Sequence, residues 1–456
     1  MLSHGKNIFT FYYVPAHTYL YGILLPFLAA SIKMSLNFLP ILFILKLLSF
    51  IFIVGFTAVS AFEILRRTKN KFLTLIGAAT IFQSVIVYPR PETMGMFFAY
   101  LSLAFSQIAY KKKSLIILLS FFSLAAFYAK PYFVACVPAI MVYYLLISRK
   151  AFVTYFLSLS IFFIASFLII NNLFPLYFDG TVVNQFNVAQ HNFTYMLRQT
   201  HDFIWIYPVF FLSILLGTIY WLIELITKFR STIKKVDVFV IALISNALFL
   251  ILSMGQHTGT YLTYYFHSLA IPMTIVSVSI IYALSKTFGR RTEYLTIIFA
   301  IGVLFSLFNT KSLRRMETNL SPKSANEWNR VIQIIDTHDP QKGYFSPPIA
   351  LAGIEKGWPV YDNGHSEFYK AGYSNNLVLN ILVPSSSKVL ESTNSWQELI
   401  DNKIESKDFS IMVLTKGYHP YVKDDLLYEN YYIYQTFRID NGYGGYNPIE
   451  ILLPKN

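Results

Sequence analysis

The sequence predicts a polytopic α-helical membrane protein, with about 10–11 hydrophobic helices of bilayer-spanning character and a small C-terminal α/β domain outside the membrane. Three observations carry this. Of 456 residues, 55% are hydrophobic and 18% aromatic, and the mean hydropathy of +0.48 is too apolar for a soluble domain of this length. Charge is unevenly placed: residues 1–309 hold 22 of the 37 Lys and Arg but 7 of the 24 Asp and Glu, and residues 310–456 hold the other 15 and 17. The long apolar runs also stop at residue 309. The chain therefore divides into a multi-helix membrane domain, 1–309, and an outer-face domain, 310–456.

The net charge of +13 belongs to the apolar part, where basic residues mark cytoplasmic loops. No nucleic-acid partner is expected; the lipid bilayer is. Cys136 is the single cysteine, which excludes an intramolecular disulfide and argues against a thiolate metal site.

Apolar stretches near 18–33, 38–62, 72–88, 95–109, 114–128, 131–147, 152–172, 204–226, 237–254, 264–285 and 292–309 are the expected membrane helices. Several fall short of the roughly 20 residues that a full span takes. The basic clusters give the sidedness: Arg66-Arg67 with Lys69 and Lys71, Lys111 to Lys113, Arg149-Lys150, Lys228 to Lys235 and Lys286 to Arg291 are expected in the cytoplasm. That puts Tyr88 to Glu92, the Lys130-Pro131 junction, the 173–203 loop, the 255–263 loop and the tail on the outer face. The parity then requires 18–33 either to cross the other way or to lie on the outer face or half-inserted, and the link Ser31 to Asn37, with Lys33 as its one charge, favours the outer-face placement. In the tail, periodicity predicts helices over 325–337, 349–356 and 396–405, a strand or turn over 343–348, a strand end at 360–361, and strands near 409–414, 432–439 and 449–453.

Acidic residues are scarce enough in 1–309 to take singly. Glu63, Glu224, Asp237 and Glu293 lie beside Lys or Arg at cytoplasmic helix ends, where charge pairing or solvation accounts for them. Glu92 closes Tyr88-Pro89-Arg90-Pro91-Glu92, a stiff turn at the outer end of a span with Arg90 in reach of its carboxylate. One reading makes Glu92 an exposed loop residue. The other makes it a positioned group for sugar hydroxyls or a divalent metal, with Arg90 meeting a phosphate. Lys130, between Tyr128 and Tyr132, is either a snorkelling helix end or a cation for a lipid-linked phosphate. In the 173–203 loop, Asp179, His191, Arg198, His201 and Asp202 follow no ligand spacing and read as an ordinary polar loop. Tyr261 to Pro272 contains Tyr265 and His267; an interfacial aromatic belt explains the tyrosines, and an imidazole inside an apolar run calls for a partner.

Taken in order, these stretches resemble the integral-membrane glycosyltransferases of the GT-C fold that use polyprenyl-phosphate sugars, similar to the protein mannosyltransferase and aminoarabinose transferase relatives. Gly5 to Tyr21 looks like the family's Tyr-Pro-Pro-Leu-Tyr entry to an early helix, and Pro89-Arg90-Pro91-Glu92 like its Arg-Pro-Asp/Glu turn. Ala129-Lys130-Pro131 looks like its Thr-Lys-Pro/Gln, and Tyr264-Tyr265-Phe266-His267 precedes Pro272. The resemblance implies a transferase in a bacterial inner membrane, moving a sugar from a polyprenyl-phosphate donor to a lipid, glycan or protein acceptor at the outer face. Glu92 would assist acceptor or metal placement, and Arg90, Lys130, Tyr128, Tyr265 and His267 would meet the donor.

The chain departs from the family at one point: its general base is an Asp or Glu in the first outer loop, and residues 1–62 hold no acid. A missing first helix and catalytic loop is the expected explanation; a relocated base and an inactive protein are the others. The rival reading, from a different class, is a non-enzymatic carrier such as a lipid-linked glycan flippase or transporter. Mid-bilayer charges and repeated halves would favour it; neither is evident.

Overall fold

The computed structural model describes residues 23–36, 41–84, 92–173, 237–253, 267–288, 296–303, 322–345, 397–416, 422–440 and 446–455, with a few isolated positions between them. It is mostly helical with one small sheet. Among the described residues before 309, the helices are α1 (Leu24–Ser35), α2 (Ile41–Thr68), α3 (Lys71–Ser84), α4 (Glu92–Ala109), α5 (Lys113–Ala129), α6 (Cys136–Ile147), α7 (Arg149–Leu173), α8 (Val238–Ser253) and α9 (His267–Phe288), and residues 296–303 are helical as well. A 3-10 turn, Pro131–Ala135, joins α5 to α6.

Polar residues at the connectors set the helix limits. Lys69, with φ +52°, closes α2 in the left-handed conformation. Asn70 then opens α3, its Oδ1 accepting from the Phe72 and Leu73 N–H groups at 2.9 and 3.1 Å. Asp237 does the same for α8, accepting from Phe239 N–H at 2.8 Å, and Ser148 caps α7 through Ala151 N–H at 3.3 Å. Lys130 ends α5 because it precedes a proline and is held extended at φ −160°, ψ 126°.

The helices pack around Phe56, Leu103, Phe133, Ile140, Tyr144 and Phe239. Serine and tyrosine hydroxyls add cross-helix bonds. Along α5 and α7, Ser120 meets Ser158 at 2.6 Å, Tyr155 donates to Ser123 at 2.8 Å, and Tyr128 meets Ser166 at 2.8 Å. Two helices are long and apolar enough to cross a membrane, Phe43–Thr68 and Arg149–Leu173. Of their most apolar windows, 33% and 11% are buried in the protein. The outward side chains of α7 include Phe156, Leu157, Ile161, Ile164 and Leu168. Helix α1 has 12 residues, about 18 Å of rise, short of the roughly 30 Å hydrocarbon layer. It packs through Leu25 and Ala29 against Ile44, Met94 and Ala129.

The tail is a four-stranded sheet in the order β1-β2-β4-β3, built from β1 (Gly343–Phe345), β2 (Ile411–Thr415), β3 (Tyr431–Asp440) and β4 (Tyr446–Pro454). The β1–β2 pair is parallel, and β2–β4 and β4–β3 are antiparallel. Helix α10 (Pro322–Asp336) covers one face through Val331 and Ile335, against Val413, Phe437 and Ile451. The helical residues 397–405 and α11 (Asp424–Asn430) cover the other through Ile400, Ile404 and Leu427, against Met412, Leu414 and Leu452. Strand β2 is buried throughout because both faces are covered.

Most predicted elements lie within a few residues of these. Helix α4 begins at Glu92 rather than 95, the first tail strand is described only over Gly343–Phe345, and Tyr361 is not in a strand. Helix α11, seven residues of mixed polarity, was not expected. The 204–226 helix falls largely outside the described residues, and the 292–309 helix is described over 296–303.

Candidate functional site

Glu92 is the first residue of α4, buried, and its carboxylate forms an ion pair with the Lys130 ammonium. The side chains are 4% and 14% exposed. Three local features bring them together. The N-terminus of α4 favours a carboxylate through its unsatisfied N–H groups and dipole. Lys130 is pinned between the end of α5, its N–H donating to Ala126 O at 3.0 Å, and the Pro131 turn. Gly95, one turn into α4, lets that turn approach: a β-carbon there would lie 2.2 Å from Phe133 Cδ2. Met94, two residues after Glu92, and Ala129, next to Lys130, belong to one apolar cluster with Leu25 and Ala29. Ser245 of α8 donates to Ala135 O at 2.9 Å, steadying the far end of the turn.

Stability does not account for such a pair. Removing a carboxylate and an ammonium from water costs several kcal/mol each, and well-packed apolar replacements are often neutral or about 1–4 kcal/mol better. What the pair provides is a fixed acid and a fixed cation, in contact, at one end of the helix bundle.

Of the sequence-predicted site residues, Glu92 and Lys130 are thus joined directly. Tyr128 is adjacent but directs its hydroxyl to Ser166 of α7, and its ring meets Phe127 and Phe178 edge-on. Arg90, Tyr132 and Tyr265 offer no described side chain, and His267 is placed only as the first residue of α9. The expected Arg90–Glu92 contact therefore lies outside the described residues; the cation seen on Glu92 is Lys130, 38 positions along the chain. In the tail, Trp358 packs on Phe345 at 5.0 Å as core.

A second charged cluster stands at the other end of α4. Glu63, 3% exposed, accepts from Arg66 at 2.8 and 3.0 Å, from Arg67 at 2.5 Å and from Gln107 at 3.1 Å. Arg67 also pairs with Asp237 and lies 4.9 Å over the Phe239 ring. This ties α2, α4 and α8 at their basic ends. Charge pairing was legible in the sequence for Glu63 and Asp237; that one arginine joins both, 170 positions apart from Asp237, was not. Glu92 and Gln107 are 15 residues apart on α4, so the two clusters are separated by about 22 Å.

Among the described residues, no group of three or more His, Cys, Asp or Glu is placed to hold a metal ion. No family model, curated protein or solved structure matches the chain.

Proposed function

We propose that the chain is a multi-pass membrane glycosyltransferase of the GT-C kind, moving a sugar from a polyprenyl-phosphate donor to an acceptor at the outer face, with its tail domain on that side. The observation that carries the reading is the buried Glu92–Lys130 pair. It lies at the end of α4 opposite the basic connectors, which by the positive-inside rule puts it at the outer boundary. In sugar transfer the acceptor oxygen bonds to the anomeric carbon as the carbon–oxygen bond to phosphate breaks, and negative charge collects on the leaving lipid phosphate. Lys130, released from Glu92 by an incoming phosphate, meets that charge. Glu92 then orients the acceptor hydroxyl. The resemblance implies a carboxylate base in a first outer loop, where residues 1–62 contain no acid; the carboxylate that this chain supplies at the acceptor oxygen is Glu92 itself, which, freed from Lys130, takes the hydroxyl proton.

A carrier for lipid-linked glycans is the second reading, favoured by one observation. Charged clusters tying neighbouring helices at both ends of α4 are what two alternately opening gates would use.

The test uses membranes holding the whole chain, a labelled photoreactive polyprenyl-phosphate sugar and the variants Lys130→Met and Glu92→Gln. Donor capture falling at least tenfold in K130M, with sugar transfer reduced in E92Q, supports the transferase. Undiminished capture and transfer in both overturns it. Capture and label translocation without transfer favours the carrier.

A further inference from the structure

We infer that the end of the helix bundle opposite Glu92 is a docking surface for acidic phospholipid headgroups. The side-chain bonds of the bundle bring its connectors together there. Arg66 donates to Gln107 at 2.8 Å, joining the C-terminal ends of α2 and α4, and the Arg67–Asp237 pair adds the start of α8. Tyr144, near the end of α6, donates to Ser106 O at 3.2 Å, near the end of α4. The Ser120–Ser158 contact aligns the first halves of α5 and α7.

Three connectors on that end carry exposed cations: Lys69 and Lys71 between α2 and α3, Lys111 to Lys113 between α4 and α5, and Arg149 with Lys150 opening α7. The acids described at the same end are Glu63 and Asp237, and Arg66 and Arg67 engage both. The internal network is therefore electrically closed, with two carboxylates against two guanidinium groups, and the field of the seven outer cations is left uncompensated among the described residues. Lys111 lies 5.5 Å over the Tyr110 ring, an amine and an aromatic side by side at headgroup level. The outward apolar faces of α2 and α7 put the hydrocarbon layer next to this ring of charge, so the complementary partner is the acidic leaflet surface.

The inference rests on the membrane reading above and is independent of sugar transfer. The full chain is reconstituted with phosphatidylcholine alone, and its resistance to alkaline carbonate extraction tests insertion. In mixed vesicles, the relative binding constant of labelled phosphatidylglycerol over phosphatidylcholine is then compared between the parent, the triple variant K111Q/K112Q/K113Q and K46Q, a control at an exposed lysine near the start of α2. A preference that falls about fivefold per lysine removed, that weakens with added salt and that survives in K46Q is the expected result. A preference unchanged in the triple variant overturns the inference while leaving the membrane reading intact; failure of the parent to insert overturns both. Inorganic phosphate competing as well as the lipid at equal charge assigns the surface to free phosphate instead, and also overturns it.

Discussion

Replacing Lys130 by Met removes the cation from a carboxylate that is 4% exposed. Little water reaches Glu92 in exchange, because the residue as a whole is 3% exposed and its chain neighbour Met94 is 5% exposed. Removal of one partner from a buried ion pair costs about 3–5 kcal/mol, most of it the desolvation left with the remaining charge. Removing both charges is different. A Glu92→Met, Lys130→Met double variant keeps approximate volume and should fall within about 1 kcal/mol of the parent, or exceed it. Cys136, the single cysteine, is buried six residues after Lys130, so thiol labelling in the folded protein reports opening beside the pair. At about tenfold per 1.4 kcal/mol, K130M should label roughly a hundred- to a few-thousand-fold faster than the parent, with the double variant near the parent rate yet inactive. A double variant that labels as fast as K130M would mean that the pair holds the fold together, and the functional argument from its cost would fail.

Gly95→Ala places a methyl 2.2 Å from Phe133 Cδ2 and 3.2 Å from its Cγ, so the whole ring must move and the Lys130 turn with it. About 1–3 kcal/mol should be lost by denaturant titration, whereas at Gly77→Ala the close contact is the flexible Ile64 Cδ1 tip at 2.6 Å and the helix gains roughly 1 kcal/mol of propensity, so the loss should be smaller. Arg67→Met strips a cation from two carboxylates and should lower the thermal midpoint more than Asp237→Asn, since Asp237 is 27% exposed and Asn still caps α8; equal losses would contradict the shared-arginine geometry. In the tail, burial and a hydrogen bond to Glu450 push the Tyr428 phenol up to about 12, and burial pushes Tyr431 up to about 12. Both are raised above the ordinary phenol value near 10, so their contribution is complete below about pH 10 and is lost as pH climbs towards 12. Tyrosinate absorbance should rise together with loss of tail structure in that window, and Tyr428→Phe should flatten the slope.

Much of the fold was legible because its signals are local. The apolar runs, the Lys130-Pro131 stop and the alternation of β3 and β4 depend on neighbours within a few residues. Helix α11 was missed because Asp424 to Asn430 has no apolar periodicity of its own; Leu427 and Tyr428 acquire a face only when the sheet supplies one. At the candidate site, Glu92 and Lys130 were each identified singly, with Arg90 as the expected partner of Glu92, since adjacency is what a linear reading measures. Contact across 38 positions depends on Gly95 admitting Phe133, a steric fact between two helices.

The sequence by itself determined which stretches are helical and apolar, where the charges concentrate, and that one carboxylate and one ammonium stand at breaks in apolar runs. Tertiary structure decided which charges neutralise one another. Arg67 closes the circuit with Glu63 and Asp237 at one end, and Lys130 does so with Glu92 at the other. The reason is physical: helix periodicity is a property of the chain, whereas a buried charge is tolerated only where packing delivers its counterion, and packing is set by contacts between residues distant in sequence.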